Sequence, residues 1–392
     1  MTIAHNRFSL LEKLTLVAFL VACIVVSLGA FTRLVHAGLG CPDWPGCYGH
    51  LTWPTSSAEV AAAEALFPEF PVEHTKTWPE MVHRYCAGSL GLLVFTLTGL
   101  LLHQNRKQRK NHSTMRYPTK HALALCAMIV LQGAFGMWTV TLKLWPQVVT
   151  AHLLGGFTTL ALIWLLFVRL RQCRLNNSRA QLFATPTSPP TPIPAMENPV
   201  VSAQEKRFLI KALTALIVLV IIQISLGGWT SANYAALACP ELPTCQGQIF
   251  PEANFQQGFN IFQAIGPNYL GGHLDGPART AIHLSHRIGA LLVTVLSIFC
   301  LWQLLKRRLL TPTAVVISSL LVVQIGLGIA NILLALPLPV AVAHNGVAAL
   351  LLLALITALY QLHHLPVLHH AQSTKSTHSP GVHHEPSNQP AH

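Results

Sequence analysis

Charged side chains are scarce in this sequence, and that scarcity excludes a single soluble domain. Only 10% of the 392 residues are Asp, Glu, Lys or Arg, whereas 52% are hydrophobic. A soluble domain carries about 25% charged residues, because its surface faces water. The sequence therefore predicts an all-α integral membrane protein, long enough to require internal repetition.

Two other features that the sequence lacks narrow the class further. No evident small-residue cleavage site follows the first apolar run, so we expect a retained membrane anchor and not a removed signal peptide. The nine cysteines include no C-x-x-C pair, a spacing typical of zinc sites. The net charge of +12 does not indicate nucleic-acid binding, because most Lys and Arg residues lie in segments between alternate apolar runs.

Eight apolar runs are long enough to cross a bilayer, which takes roughly 20 helical residues for about 30 Å of hydrocarbon. The predicted spans are residues 14–36, 80–103, 121–142, 147–170, 208–230, 280–305, 313–335 and 338–361. By the positive-inside rule, the basic segments place both termini in the cytoplasm. The cysteine-bearing loops then lie on the outer face of the cell (inner) membrane.

The sequence repeats itself once. Matching positions in the same order are Gly29 and Gly227, Cys41 and Cys239, Cys47 and Cys245, His83 and His286, Arg84 and Arg287, Gln132 and Gln324, Gly136 and Gly328, and His152 and His344. Such a period predicts two tandem four-helix bundles related by a pseudo-twofold axis along the membrane normal. The predicted division is residues 1–170 for the N-terminal unit, 171–207 for a proline-rich cytoplasmic linker, 208–362 for the C-terminal unit and 363–392 for a disordered His-rich tail.

Four histidines lie a few residues inside the outer ends of predicted helices. They are His83 and His152 in the first unit and His286 and His344 in the second. Histidines from facing helices can reach opposite faces of a haem iron, because neutral imidazole is a good axial ligand. Each pair is therefore predicted to bind one haem iron. The alternative for any one of these histidines is a side chain at the membrane interface that contacts lipid headgroups and binds no iron.

The two units differ one helical turn before the first histidine, where Glu80 is matched by His283. A carboxylate can move protons or stabilise a developing positive charge. The N-terminal unit is therefore predicted to carry out chemistry with Glu80, and the C-terminal unit to hold a resident cofactor. Arg84 and Arg287 are candidates for haem propionate contacts. Alternatively, these arginines contact lipid headgroup phosphate or form an ion pair with Glu80.

The outer loops contain two cysteine pairs, Cys41 with Cys47 and Cys239 with Cys245. They face an oxidising compartment, so each pair is predicted to form a disulfide. Zinc binding is the weaker alternative. Whether the first pair braces the loop or reacts with substrate stays open, because reactivity depends on exposure and thiol pKa.

Together these motifs resemble the haem A synthase family, membrane enzymes that convert haem O to haem A for terminal oxidases. The resemblance covers eight spans, tandem halves, four histidines, the Glu80-x-x-His83-Arg84 segment and the loop cysteines. It implies that His286 and His344 hold a resident haem b, that His83 and His152 bind the haem substrate, and that Glu80 is the essential acid. The implied enzyme is an oxidoreductase acting on a CH group, which oxidises one porphyrin methyl twice to a geminal diol that loses water to give a formyl group.

The resemblance also implies partners, namely haem O synthase, oxidase assembly factors and an unidentified electron acceptor, with self-association left open. Three rival functions remain at this stage. A thiol-oxidising membrane protein would use the cysteine pairs, but it gives no reason for paired histidines. A b-type electron-transfer cytochrome needs the histidines but not Glu80. A haem transporter or chaperone is the third.

Overall fold

The protein is helical throughout the part of the chain that the computed structural model describes, residues 9–110, 116–184 and 201–367. The only β contacts in these ranges are isolated bridges. The helices are α1 (Leu10–Leu34), α2 (Ser57–Leu66), α3 (His74–Lys110), α4 (Thr119–Thr141), α5 (Pro146–Ala184), α6 (Ala203–Ala232), α7 (Phe255–Gly258), α8 (Gly276–Lys306), α9 (Thr311–Leu333) and α10 (Leu338–His364). Eight of them, all but α2 and α7, are long and apolar enough to span a membrane. The predicted all-α multi-pass membrane protein is confirmed.

Several spanning helices begin before the predicted apolar runs, and polar residues cap two of these starts. Ser9 and Glu12 form a capping box at the start of α1, where they satisfy N–H groups that have no partner in the first turn. Ser202 and Glu205 do the same for α6. Helix α3 begins six residues before the predicted span, with Pro79 in its second turn. A proline so near the N-terminus removes only one helical hydrogen bond.

Each half of the molecule is a ring of four spanning helices. In the N-terminal half, α1 packs on α3 and α5, and α4 packs on the same two helices. In the C-terminal half, α6 packs on α8 and α10, and α9 packs on the same two. Within the described residues, no Cα atom of α3 lies within 8 Å of one in α5, and the same holds for α8 and α10. These two pairs, which carry the four candidate histidines, therefore lie diagonally across their bundles.

The halves meet through α1 with α10, α5 with α6, and α5 with α10. If α1 is exchanged with α6 and α5 with α10, the contact of α1 with α10 becomes the contact of α6 with α5, and the contact of α5 with α10 is unchanged. A twofold axis would produce this pattern. The symmetry axis itself stays a prediction. Near the centre of this interface, the Trp164 indole N–H donates to the Thr357 hydroxyl at 2.8 Å. At the end that is predicted to face outward, Arg33 of α1 donates to the carbonyl of Ser231 on α6 at 2.6 Å.

Two cysteine-bearing loops, called outer loops after their predicted orientation, cover one end of the bundles. In the first, Cys41, Cys47 and Tyr48 form a buried cluster with Ala63 of α2 and Met81 of α3. The predicted linker is helical at both ends, because α5 continues to Ala184 and α6 begins at Ala203. Its proline-rich centre, and the tail beyond residue 367, lie outside the described residues.

Candidate functional site

Each of the four candidate histidines packs its ring against a glycine on a neighbouring helix. The glycines belong to the helix that precedes the histidine among the spans, namely α1, α4, α6 and α9. A Cβ built on each glycine would meet the imidazole Cε1 at 3.0 Å for Gly29 and His83, 3.6 Å for Gly136 and His152, 3.2 Å for Gly227 and His286, and 3.2 Å for Gly328 and His344. The same contact thus occurs four times, twice in each half.

The two histidines of each half come from diagonally opposite helices of the same bundle. His83 on α3 and His152 on α5 are close enough to interact electrostatically, as are His286 on α8 and His344 on α10. Because each pair comes from diagonal helices, a flat ligand between the rings would lie in the centre of the bundle, where cofactors bind in four-helix proteins.

These residues fit the axial ligation of a haem. The Nδ1 atoms of His83, His152 and His344 are buried without a hydrogen-bond partner. A buried polar atom left in this state costs about 1–3 kcal/mol. Among the described residues, no three His, Cys, Asp or Glu side chains come together as they would around a bare metal ion. Two imidazoles suit an iron whose other four ligands come from a porphyrin.

Glu80 lies one turn outward from His83 and is tied to the disulfide loop. Its side chain is only 5% exposed. One carboxylate oxygen accepts from the backbone N–H of Cys41 at 3.0 Å, and the other pairs with the guanidinium of Arg84 at 2.5 Å. The ion pair between Glu80 and Arg84, one of the alternatives that the sequence left open, is therefore present.

Both candidate arginines also bind loop carbonyl groups. Arg84 donates to the carbonyls of Asp43, Pro45 and Gly46. Arg287 donates to those of Cys239, Glu241 and Thr244 in the second loop. In both halves, the arginine after the first histidine thus fastens the disulfide loop onto the bundle. Propionate binding by these arginines stays a prediction.

His283 occupies the place of Glu80 in the second half and also holds the outer loop. It is buried, and its Nδ1 lies 2.9 Å from the carbonyl oxygen of Ala235. A neutral imidazole can donate a hydrogen bond to this carbonyl, whereas the carboxylate of Glu80 accepts a hydrogen bond from a backbone N–H. Both side chains therefore bind backbone of the preceding loop, but they differ in charge.

Both predicted disulfides are present, between Cys41 and Cys47 and between Cys239 and Cys245. All four cysteines are buried, with at most 1% of their surface exposed. In the first loop, the Tyr48 hydroxyl donates to the Pro71 carbonyl at 3.1 Å, and burial with nearby carboxylates raises the pKa of Tyr48 to about 12. The zinc alternative is wrong, because the sulfur atoms are bonded to each other.

A cluster of side chains between the halves, at the end that carries the cysteine loops, was not predicted from the sequence. The Arg33 guanidinium lies 4.2 Å from the ring centroid of Tyr234 and donates to the tyrosine hydroxyl at 2.9 Å. His36 stacks on the same tyrosine ring. His36 and Tyr234 occupy equivalent positions in the repeat, and this equivalence is the sequence signal that could have pointed to the cluster. Two other histidines at this end are exposed, His74 at the start of α3 and His273 in a loop.

Comparison with known proteins agrees with this arrangement. The family model for COX15-CtaA, described as cytochrome oxidase assembly protein, matches residues 12–356. A protein of Shewanella oneidensis named Heme A synthase is 44% identical over 354 residues, which is 90% of this chain and 96% of that protein. Proteins of the same name from Chelativorans sp. and Maricaulis maris are 27% and 26% identical, over 84% and 88% of this chain and 86% and 93% of their own lengths.

The family match, over residues 12–356, spans the histidines, the glycines beneath them and the two disulfide loops. The Shewanella relative is similar over 90% of this chain and not over an isolated motif. The chain belongs to the haem A synthase family, and the resemblance predicted from its sequence is confirmed.

Proposed function

We propose that this protein is a haem A synthase, which oxidises a methyl group of haem O to the formyl group of haem A. The observation that carries the proposal is the pair of diagonal imidazoles in each half, with a buried carboxylate beside only the first pair. The relatives named Heme A synthase support the same activity.

The two halves have different tasks in this proposal. His83 and His152 bind the substrate haem in the N-terminal unit, residues 1–170. His286 and His344 hold a resident haem b in the C-terminal unit, residues 208–362. This haem b, when bound, would transfer electrons. What supports this division is the replacement of Glu80 by His283, because an imidazole bound to a backbone carbonyl offers no negative charge.

Glu80 acts on the reaction as a fixed negative charge next to the substrate. Arg84 and the Cys41 N–H hold its two oxygens in place, so the carboxylate does not need to reorient during the reaction. Its burial excludes water, which strengthens its attraction for a positive charge or a proton. We therefore assign Glu80 to stabilising positive charge that develops on the substrate, or to taking up the proton released there.

The buried cysteines argue against the rival thiol-oxidising function. A disulfide that exchanges with an external thiol has to be reached by the attacking sulfur atom. Cys41, Cys47 and Cys239 are each 0% exposed. We propose that both disulfides brace the outer loops, and that these loops lie outside the inner membrane with both termini in the cytoplasm. Haem O synthase and oxidase assembly factors remain the proposed partners.

The activity can be tested in a host that makes haem O but no haem A. Expression of the full-length protein is expected to convert extracted haem O into haem A, detected by chromatography of the haems. Host cells without the gene give the baseline. Haem O recovered unchanged from membranes that contain the folded, haem-bound protein would contradict the proposed activity.

The glycine contacts give a structural test of the histidine assignment. In Gly328→Ala, the new methyl group stands 3.2 Å from Cε1 of His344, so the ring must move and haem retention in the C-terminal unit is expected to fall several-fold. Gly326→Ala is the matched control, because a Cβ there meets nothing within 4 Å. Haem content per purified chain is the measurement. Equal haem content in the two variants would show that the position of the His344 ring does not matter.

A further inference from the structure

Part of the second cysteine-bearing loop crosses from one half of the molecule to the other. It starts on the C-terminal half, where the Trp229 indole N–H donates to the carbonyl of Gly258 at 2.8 Å. It ends on the N-terminal half, where the backbone N–H of Tyr269 donates to the carbonyl of Lys143 at 3.0 Å. Residues 259–270 therefore form a strap between the two halves.

Two side chains at the start of α5 fix the level of this strap. The Trp145 indole N–H donates to the carbonyl of Gln263 at 3.2 Å, and the Gln147 amide donates to the carbonyl of Ile261 at 2.9 Å. Helix α5 begins at Pro146, and tryptophan is typical of the layer where a span leaves the hydrocarbon. The strap thus lies at the level of the lipid headgroups, a layer roughly 5–8 Å thick on each side of the bilayer core.

The strap has a defined shape of its own. The Asn260 side chain accepts from the backbone N–H of Phe262 at 2.9 Å. Tyr269 is buried, and its hydroxyl donates to the carbonyl of Ala264. Together with the contacts to α5, these hydrogen bonds hold the strap backbone in place. Its outward side chains therefore cannot be buried against the protein without breaking them.

Three large apolar side chains project from the strap. Ile261, Phe262 and Ile265 are 60%, 85% and 62% exposed. A cluster of exposed apolar side chains on an ordered segment marks a contact surface. Lys143, which binds the end of the strap through its carbonyl, is exposed as well. A lysine at this level can extend its ammonium group to headgroup phosphate while its stem stays among apolar groups.

Charge distinguishes the strap from the first cysteine-bearing loop. Residues 253–274 contain no Asp, Glu, Lys or Arg. An uncharged segment can enter the headgroup layer at low cost, whereas carboxylates favour water and are repelled by anionic lipids. The first loop, residues 35–73, carries only acidic charges, namely Asp43, Glu59, Glu64, Glu69 and Glu73.

We propose that the strap is a membrane-interface anchor, with Ile261, Phe262 and Ile265 inserted into the lipid leaflet at the cysteine-loop end. The tip continues the apolar surface of the spans, since Trp138 in the last turn of α4 is exposed at the same end. A protein is the less suitable occupant, because a standard interface buries roughly 800 Å² per partner, more than three side chains on a narrow segment provide. The anchor holds the start of α5, the helix that carries His152.

Photocrosslinking from position 262 tests the proposal. The full-length protein is made with p-benzoylphenylalanine in place of Phe262, which keeps an aromatic ring at an exposed site. Cell membranes that contain the protein are illuminated with near-ultraviolet light, and the purified chain is weighed by mass spectrometry. The expected product is the chain joined to one phospholipid molecule.

Two other positions provide matched controls. The same probe in place of Val130, an exposed residue of α4, should also join to phospholipid, because this side chain belongs to a membrane span. In place of Glu69, an exposed residue of the first loop, it should join to lipid several-fold less. The lipid yield from position 262 is expected to be close to that from Val130.

The probe in place of Ile265 repeats the measurement at a second site, in case the first variant folds poorly. Each purified variant is compared with the parent by size-exclusion chromatography. Lipid yields at both strap positions as low as that at Glu69, or crosslinks from both to a protein chain instead of lipid, would overturn the proposal. The measurement does not depend on haem, so its outcome is independent of the proposed function.

Discussion

Glu80→Gln is expected to stop haem A formation while leaving both haem sites loaded. Glutamine has nearly the same size and can still accept from the Cys41 N–H, but it removes the negative charge. A side chain that moves a proton in the transition state contributes about 10²- to 10⁴-fold to rate. We therefore expect haem A production to fall by that factor, measured by chromatography of extracted haems, with haem content per chain unchanged.

The control for Glu80→Gln has to separate charge from the loop contact, because Glu80 also holds the first disulfide loop. His283→Gln provides it. This variant alters the loop contact made by the residue equivalent to Glu80, to the Ala235 carbonyl, without removing a carboxylate. Haem A production in His283→Gln is expected to stay near the parent level. Normal haem A from Glu80→Gln, or an equal loss in both variants, would remove Glu80 from the chemistry.

The membrane architecture and the histidine pairs were predictable from the sequence because both depend on local or repeated signals. Apolar runs alone locate the eight spans, and the repeat links His83 with His286 and His152 with His344. The disulfides followed from cysteines placed in outer loops. Each of these features is encoded by residues close together in the chain or by an exact recurrence at a distance.

Features that depend on packing between distant segments could not be predicted in the same way. The sequence gives no sign that α3 lies diagonally opposite α5, since this follows from how four helices close into a ring. The loop carbonyl groups that accept hydrogen bonds from Arg84 and Arg287 belong to the backbone, and such groups have no signature in the sequence. Gly136 and Gly328 marked the repeat, but their contacts with the His152 and His344 rings appeared only in the structure.

Replacing His286 or His344 with alanine is expected to remove the resident haem, because a bundle site keeps only one axial ligand after either change. Purified variants should retain about a tenth or less of the parent haem, in keeping with the 10- to 100-fold loss seen for weaker, indirect changes. His283→Ala is the matched control, one turn away on the same helix. It should keep the resident haem, because His283 binds the Ala235 carbonyl and not the partner imidazole.

Titration of the purified protein with ferric haem b, followed by its low-spin absorbance, tests the duplicated site most directly. Two equivalents per chain are expected in the protein stripped of haem. One equivalent should remain when His83 and His152 are both alanine, and one when His286 and His344 are both alanine. A variant that lacks one of these histidine pairs and still binds two low-spin equivalents of haem would contradict the account.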